Sequence, residues 1–118
     1  MEPSMIHEAL REYKEGIGRF EQELPEVAAE YNRFTEACFA EGELSRQAKH
    51  LIGLALGVYT NDEYCIIYHT KGAIDQGASD RQILEAAAVS GAFGGGAAMS
   101  QAVTLVREAI QAFRSSTH

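Results

Sequence analysis

Cysteine and proline are scarce, with two of each in 118 residues. Two cysteines, Cys38 and Cys65, do not make the disulfide framework of a small secreted domain, and a reducing compartment keeps such thiols free. Clustered basic residues are missing as well. The formal net charge is −7, and no Lys/Arg run offers the charge that a nucleic-acid backbone requires. Long apolar runs are also lacking: the strongest, such as residues 51–59, fall far short of the ~20 residues that span a bilayer. The first residues, MEPSMIHEALREYKE, have neither the basic start nor the apolar block of a secretion signal. These absences lead to the expectation of a cytoplasmic protein with no membrane and no nucleic-acid partner. Val/Ile/Thr-rich alternation is absent too, so strands are not indicated.

What is present is an ordinary globular composition, 46 % hydrophobic and 23 % charged, in a chain of single-domain length. The periodicity is helical throughout. A first helix is predicted from residue 3 to about 20, with Met5, Ile6, Leu10 and Tyr13 on one stripe. Pro25 suits the first turn of a second helix, whose repeating face is Val27, Tyr31, Phe34 and Cys38. Gly42 is read as a helix stop and Ser45 as the next cap. The third helix repeats Ala48, Leu51, Ile52, Ala55, Leu56 and Tyr59. "TND" at 60–62 punctuates, and a fourth helix starts at Asn61 or Asp62, runs to about Gln76 and stops at Gly77. Ser79 with Gln82 makes a capping box for a fifth helix, its apolar face Ile83, Leu84, Ala87 and Ala88. "GGG" at 94–96 breaks or kinks the chain before a last helix. The expectation is one all-α domain, residues 1–118, of about six helices.

The chemistry-bearing row is in "DEYCIIYHTKGA", residues 62–73. On a helix, Asp62, Cys65 and His69 share one face, with Tyr68 and Ala73 beside them. A histidine next to a thiol stabilises the thiolate, which is the nucleophile, and a helix N-terminus lowers a thiol pKa further. On the preceding helix His50, Gly53, Gly57 and Thr60 form a stripe. Its glycines admit another helix closely, so His50 is expected to point toward His69 or Cys65. Plainer readings stand beside these. Asp62 is an N-cap residue, Cys38 is core filler, and Tyr59, Tyr64 and Tyr68 are packing groups. A zinc site from His50, Asp62, Cys65 and His69 is chemically feasible, but the spacing is not specific, and no metal or other cofactor is expected. A phosphate-loop reading of the glycines fails, because no strand precedes them and no Lys-Ser/Thr follows; the small residues from Gly91 to Ser100 are read as close packing between helices or subunits.

Residues 44–103, "LSRQAKHLIGLALGVYTNDEYCIIYHTKGAIDQGASDRQILEAAAVSGAFGGGAAMSQAV", resemble the carboxymuconolactone decarboxylase family, which includes the alkyl hydroperoxidase D-like proteins. The resemblance rests on the "LS" helix start, "YC" followed by x-x-x-His, "KGAIDQGAS", "ILEAAA" and the Gly-rich "GGGAA", in that order. It implies an all-α fold assembled as trimers or hexamers. It also implies a peroxiredoxin-type oxidoreductase reducing peroxide, with a small thiol as reductant. In that branch the motif is Cys-x-x-Cys-x-x-x-His with a glutamate on the preceding helix. Cys65 and His69 match the second cysteine and the histidine. Asp62 stands where the first cysteine would be, and His50 where the glutamate would be, so no dithiol cycle is available within the motif. The roles implied are Cys65 as nucleophile, His69 as base, His50 as relay and Asp62 as polar orienter, with Cys38 or a small thiol resolving an oxidised Cys65. The resemblance equally implies an alternative, a cofactor-free acid–base enzyme acting on a small organic acid through His69 and His50, with Arg46, Lys49 and Lys71 as candidate cations. A non-catalytic oligomeric binding protein is the third reading.

Overall fold

The computed structural model describes residues 2–115, and every regular element among them is helical. Helices α1 (Pro3–Glu23) and α2 (Pro25–Phe39) both open on proline. A first-turn N–H has no intrahelical acceptor, so proline loses nothing there. α2 stops at Phe39, with Ala40 already extended, earlier than the Gly42 stop expected. α3 (Arg46–Thr60) starts from Ser45, whose side chain accepts from Ala48 N at 3.0 Å. It ends at Asn61 with φ of 57°, a left-handed position that a short polar side chain tolerates. Asp62 then caps α4 (Glu63–Asp75), accepting from Cys65 N at 3.1 Å. Gly77, with φ of 87°, turns the chain. The Ser79–Gln82 capping box closes at 2.8 and 3.1 Å to start α5 (Asp80–Gln101).

α5 kinks at Gly95 (φ 66°, ψ −144°) and passes through a π-helical turn, Ala102–Val106, into α6 (Arg107–Ser115). The kink matches the "GGG" reading. Nothing in the sequence pattern marks the π turn.

The core is assembled from Ile6 and Leu10 of α1, Leu54 and Val58 of α3, Ile66 and Ile67 of α4, Ile83 and Ala87 of α5, and Leu105, Val106 and Phe113 near the C-terminus. Each buried Ile or Leu contributes about 1.5–3 kcal/mol. α3 and α4 form the central hairpin. His50 meets Gly72, Gly53 meets His69 and Gly57 meets Cys65, an antiparallel register set by the two-residue connection Asn61–Asp62. α5 lies along α3, pinned where Ser90 Oγ donates to Ala55 O at 2.5 Å.

Two expected faces are corrected. On α3 the buried residues are Leu54, Gly57 and Val58, while Ile52, Leu56 and Tyr59 are exposed. This helix is apolar nearly all round, so periodicity alone could not select the inward side; the glycine stripe did, by admitting α4. On α2 only Ala28 is buried. Val27, Tyr31 and Phe34 are exposed, and Cys38 is an exposed free thiol rather than core filler. The buried residue of α2 is the small Ala28, and the bulkier stripe lies outside.

A Cβ added at Gly57 would lie 3.0 Å from Cys65 Cβ and 3.1 Å from Ile66 N. The second neighbour is backbone and cannot step aside. Gly57→Ala is therefore expected to cost about 1–3 kcal/mol despite the better helix propensity of alanine, read as a lowered urea midpoint.

Candidate active site

Two Gly–His contacts build the centre of the site. His50 of α3 lies flat against Gly72 of α4, and His69 of α4 lies over Gly53 of α3. A Cβ at Gly53 would come within 2.9 Å of three His69 ring atoms, and one at Gly72 would overlap the His50 ring. Each imidazole thus occupies space that only a glycine leaves free. Interleaved this way, the rings meet edge to edge, with His50 Nδ1 and His69 Nδ1 3.1 Å apart. Phe39, at the end of α2, covers both: its ring stacks on His69 (5.3 Å, 13°) and tilts over His50 (5.1 Å).

The pair lies in a cleft of about 840 Å³ between α1, α2, α3 and α4. Cys65, Tyr64 and Tyr68 line it from α4, Arg46 from α3, Tyr31, Asn32, Thr35, Glu36 and Phe39 from α2, and Tyr13, Lys14 and Ile17 from α1. Cys38 is not among the lining residues. No three His, Cys, Asp or Glu side chains among the described residues converge to hold a metal ion, so the zinc set weighed from the sequence is not assembled. No helix among them is long and apolar enough to cross a membrane.

Comparison with known proteins bears on this arrangement directly. The family model described as "Carboxymuconolactone decarboxylase family" matches residues 25–108, which takes in both site helices and the α2 wall. The chain belongs to the carboxymuconolactone decarboxylase family. Among curated relatives, uncharacterized protein 4 in the cox locus of Paracoccus denitrificans is 38 % identical over 68 residues, covering 58 % of this chain and 61 % of that protein's length. An uncharacterized protein of Cupriavidus necator is 29 % identical over 87 residues, 74 % of this chain and 77 % of its own. A solved carboxymuconolactone decarboxylase family protein from Legionella pneumophila superposes with a TM-score of 0.85 at 24 % identity, covering 97 % of this chain and 98 % of that one. A second, from Thermotoga maritima, gives 0.65 at 23 %, covering 87 % and 97 %. These neighbours show the fold.

Against the family motif, the structure brings Cys65, His69, His50 and Asp62 into one neighbourhood, as their spacing led one to expect. The electrostatics differ from the expectation. Burial pushes the Cys65 thiol up to about 11, and the neighbouring Asp62 carboxylate adds to this as a hydrogen-bond acceptor and by its charge. The favourable helix N-terminus is thus outweighed, by burial first and then by the negative charge that Asp62 brings there. Burial lowers His69 to about 4, with His50 pushing the same way and Asp62 opposing. Burial also lowers His50, helped by Arg46 and opposed by Asp75. Both histidines are therefore neutral at neutral pH and the thiol is protonated. No hydrogen bond among the described residues joins Cys65 to His69; His69 spends Nδ1 on His50.

Sequence reasoning overlooked Phe39, Gly72, Tyr13 and Tyr31. One signal was available: each central helix carries His-x-x-Gly, His50–Gly53 and His69–Gly72, and two such motifs in an antiparallel pair interleave ring over glycine. Of the candidate cations, Lys49 Nζ donates to Ala40 O at 2.7 Å and Lys71 pairs with Asp75 at 2.7 Å. Only Arg46 lines the cleft. Tyr64 and Tyr68 do pack, on Tyr13, but both also face the cleft, and Tyr59 is half exposed.

Two consequences of these ionisations are measurable. The unfolded chain takes up a proton at His69 near the ordinary pKa of ~6.5, whereas the folded chain does so only near 4. The stability contributed is present above the higher value and is lost as pH falls through the lower one. Thermal denaturation of wild type against His69→Asn is expected to show the variant losing less stability between pH 7 and 4. The thiol behaves oppositely, since a folded value of about 11 leaves only about one thiol in ten thousand ionised at pH 7. In a Cys38→Ser background, alkylation of Cys65 is expected to be slow at pH 7 and to climb toward pH 11, and Asp62→Asn to accelerate it at pH 8 while keeping a capping side chain.

Proposed function

We propose that the cleft is the active site of a cofactor-free acid–base enzyme that moves a proton on a small organic acid, with His50 and His69 as its working groups. The 3.1 Å contact between the two Nδ1 atoms carries this reading. Two neutral imidazoles can share such a contact only if one donates Nδ1–H and the other accepts at a bare Nδ1. The donor ring then has a free Nε2 lone pair, and the acceptor ring holds an Nε2–H. One pair of side chains thus supplies a base and an acid together. When the base takes a proton, it passes its Nδ1 proton across the contact, and the partner releases its own from Nε2. A proton leaves one position of the substrate and another arrives elsewhere, as isomerisation or the protonation step of a decarboxylation demands. Phe39 keeps water off the pair, and Arg46 supplies a cation for an anionic substrate.

A second reading is favoured by one observation, that Cys65 lines the same cleft as the neutral histidines. Peroxide reduction would proceed by attack of sulfur on the peroxide O–O bond, giving a sulfenic acid and an alcohol. Two external thiols would then restore Cys65, releasing a disulfide and water. The related Thermotoga protein, for which a part in an antioxidative response has been suggested, supports keeping this reading. The protonated thiol and the missing motif cysteine weigh against it.

Lactone carboxylates and unsaturated acids incubated in D₂O, followed by NMR for C–H exchange and CO₂ release, separate the two. His69→Asn and His50→Asn are each expected to lose about 100-fold or more, while Cys65→Ser stays near wild type. The rate should hold through neutral pH and fall on acidification as either histidine of the pair, both held below the usual imidazole value by burial, takes up a proton. Peroxide turnover with a thiol reductant, abolished by Cys65→Ser and indifferent to His50→Asn, would replace the acid–base reading with the second. Inactivity in both assays would overturn both.

A further inference from the structure

We propose that this cleft selects a flat, conjugated or aromatic monocarboxylate, its ring held on a tyrosine wall and its carboxylate at Arg46 and Lys14. The inference deepens the acid–base reading and rests on it for the location of the chemistry, but not for the binding itself.

Four of the chain's five tyrosines line this one cleft. Three of them, Tyr13, Tyr64 and Tyr68, join the histidines in an unbroken run of ring contacts. Tyr64 stacks on Tyr13 (6.0 Å, 26°), and Tyr13 meets Tyr68 edge-on (5.7 Å, 62°). Tyr68 meets His69 edge-on (5.1 Å, 89°) and lies 6.4 Å from His50, with Phe39 beyond both. Rings held by other rings are preorganised, and they present faces and edges that attract a planar π system more than a puckered ring of equal size. Among the described residues only Tyr64 spends its hydroxyl on a protein partner, Glu12 at 3.3 Å. The hydroxyls of Tyr13, Tyr31 and Tyr68 are left for a polar substituent.

Charge narrows the class further. Lys14 and Arg46 are the two cations on the lining and Glu36 the single carboxylate, a balance that favours one negative charge on the ligand. Neither cation makes an ion pair among the described residues, whereas the neighbouring Lys49 and Lys71 are engaged elsewhere. Arg46 is close enough to His50 to lower its pKa, so a carboxylate held by the guanidinium would place the attached ring beside the histidine pair. A cleft of about 840 Å³ falls within the roughly 300–1,000 Å³ usual for small-molecule sites.

Isothermal titration calorimetry on the full chain tests this with four probes: 4-hydroxybenzoate, cyclohexanecarboxylate (same charge, not planar), 4-hydroxybenzamide (same ring, no charge) and terephthalate (planar, two charges). Saturable binding of 4-hydroxybenzoate is expected, with the other three about tenfold weaker. Arg46→Gln should remove the preference over the amide, and Tyr68→Leu the preference over the cyclohexane acid, both with unchanged circular dichroism. Equal affinity for all four probes, or saturation by none, would overturn the proposal. The ranked binding without histidine-dependent proton exchange would uphold this inference and sink the acid–base reading. Histidine-dependent turnover of non-planar acids, with no ring preference, would do the reverse.

Discussion

The structure depends on how closely α3 and α4 approach. Each helix gives up side-chain volume at a glycine where the other presents an imidazole: Gly72 beneath His50 and Gly53 beneath His69. Gly57 continues the same seam against Cys65 and the backbone of Ile66. Helix packing and the geometry of the histidine pair are therefore one constraint. A larger residue at Gly53 or Gly72 would part the helices and also part the two Nδ1 atoms. The Asn61–Asp62 connection holds the register, with Asn61 taking the left-handed turn and Asp62 capping α4. A slip of one residue would carry each histidine off its glycine.

The same closeness sets the chemistry. Imidazoles enclosed by two helices and Phe39 lose hydration, which disfavours their charged forms; placed together, each further disfavours the other's charge. Cys65 is affected in the opposite chemical sense by the same cause, since burial also penalises a thiolate. Asp62 completes the effect. Its cap on Cys65 N stabilises the helix, yet the negative charge it brings to that end opposes a second negative charge on sulfur. In the motif of the alkyl hydroperoxidase D-like branch that position is a cysteine; here it is a carboxylate, whose charge works against a thiolate at Cys65.

Much of the fold was legible because the signals were local. The proline starts, the Ser45, Asp62 and Ser79 caps, Gly77 and the Gly95 kink depend on a few neighbouring residues. The Asp62–Cys65–His69 row and the inward glycine stripe followed from helical spacing alone. The buried face of α3 was not legible, because leucines, isoleucines and alanines surround that helix. Nor was the exposure of Val27, Phe34 and Cys38 on α2, whose periodic stripe resembles a core face. The π turn at 102–106 leaves no local mark, since it arises where a continuous helix must re-aim its side chains onto the core.

The sequence by itself determined an all-helical chain, its helix ends, and the set of polar groups on one seam, because backbone capping and 3.6-residue spacing are properties of short segments. Tertiary structure alone decided that His50 would bond to His69 rather than Cys65. It decided as well that the thiol would be suppressed and that Phe39 and the tyrosines of α1, α2 and α4 would wall the cleft. Those outcomes depend on distance between segments and on exclusion of water. Both are set only when helices far apart in the chain pack to a common depth.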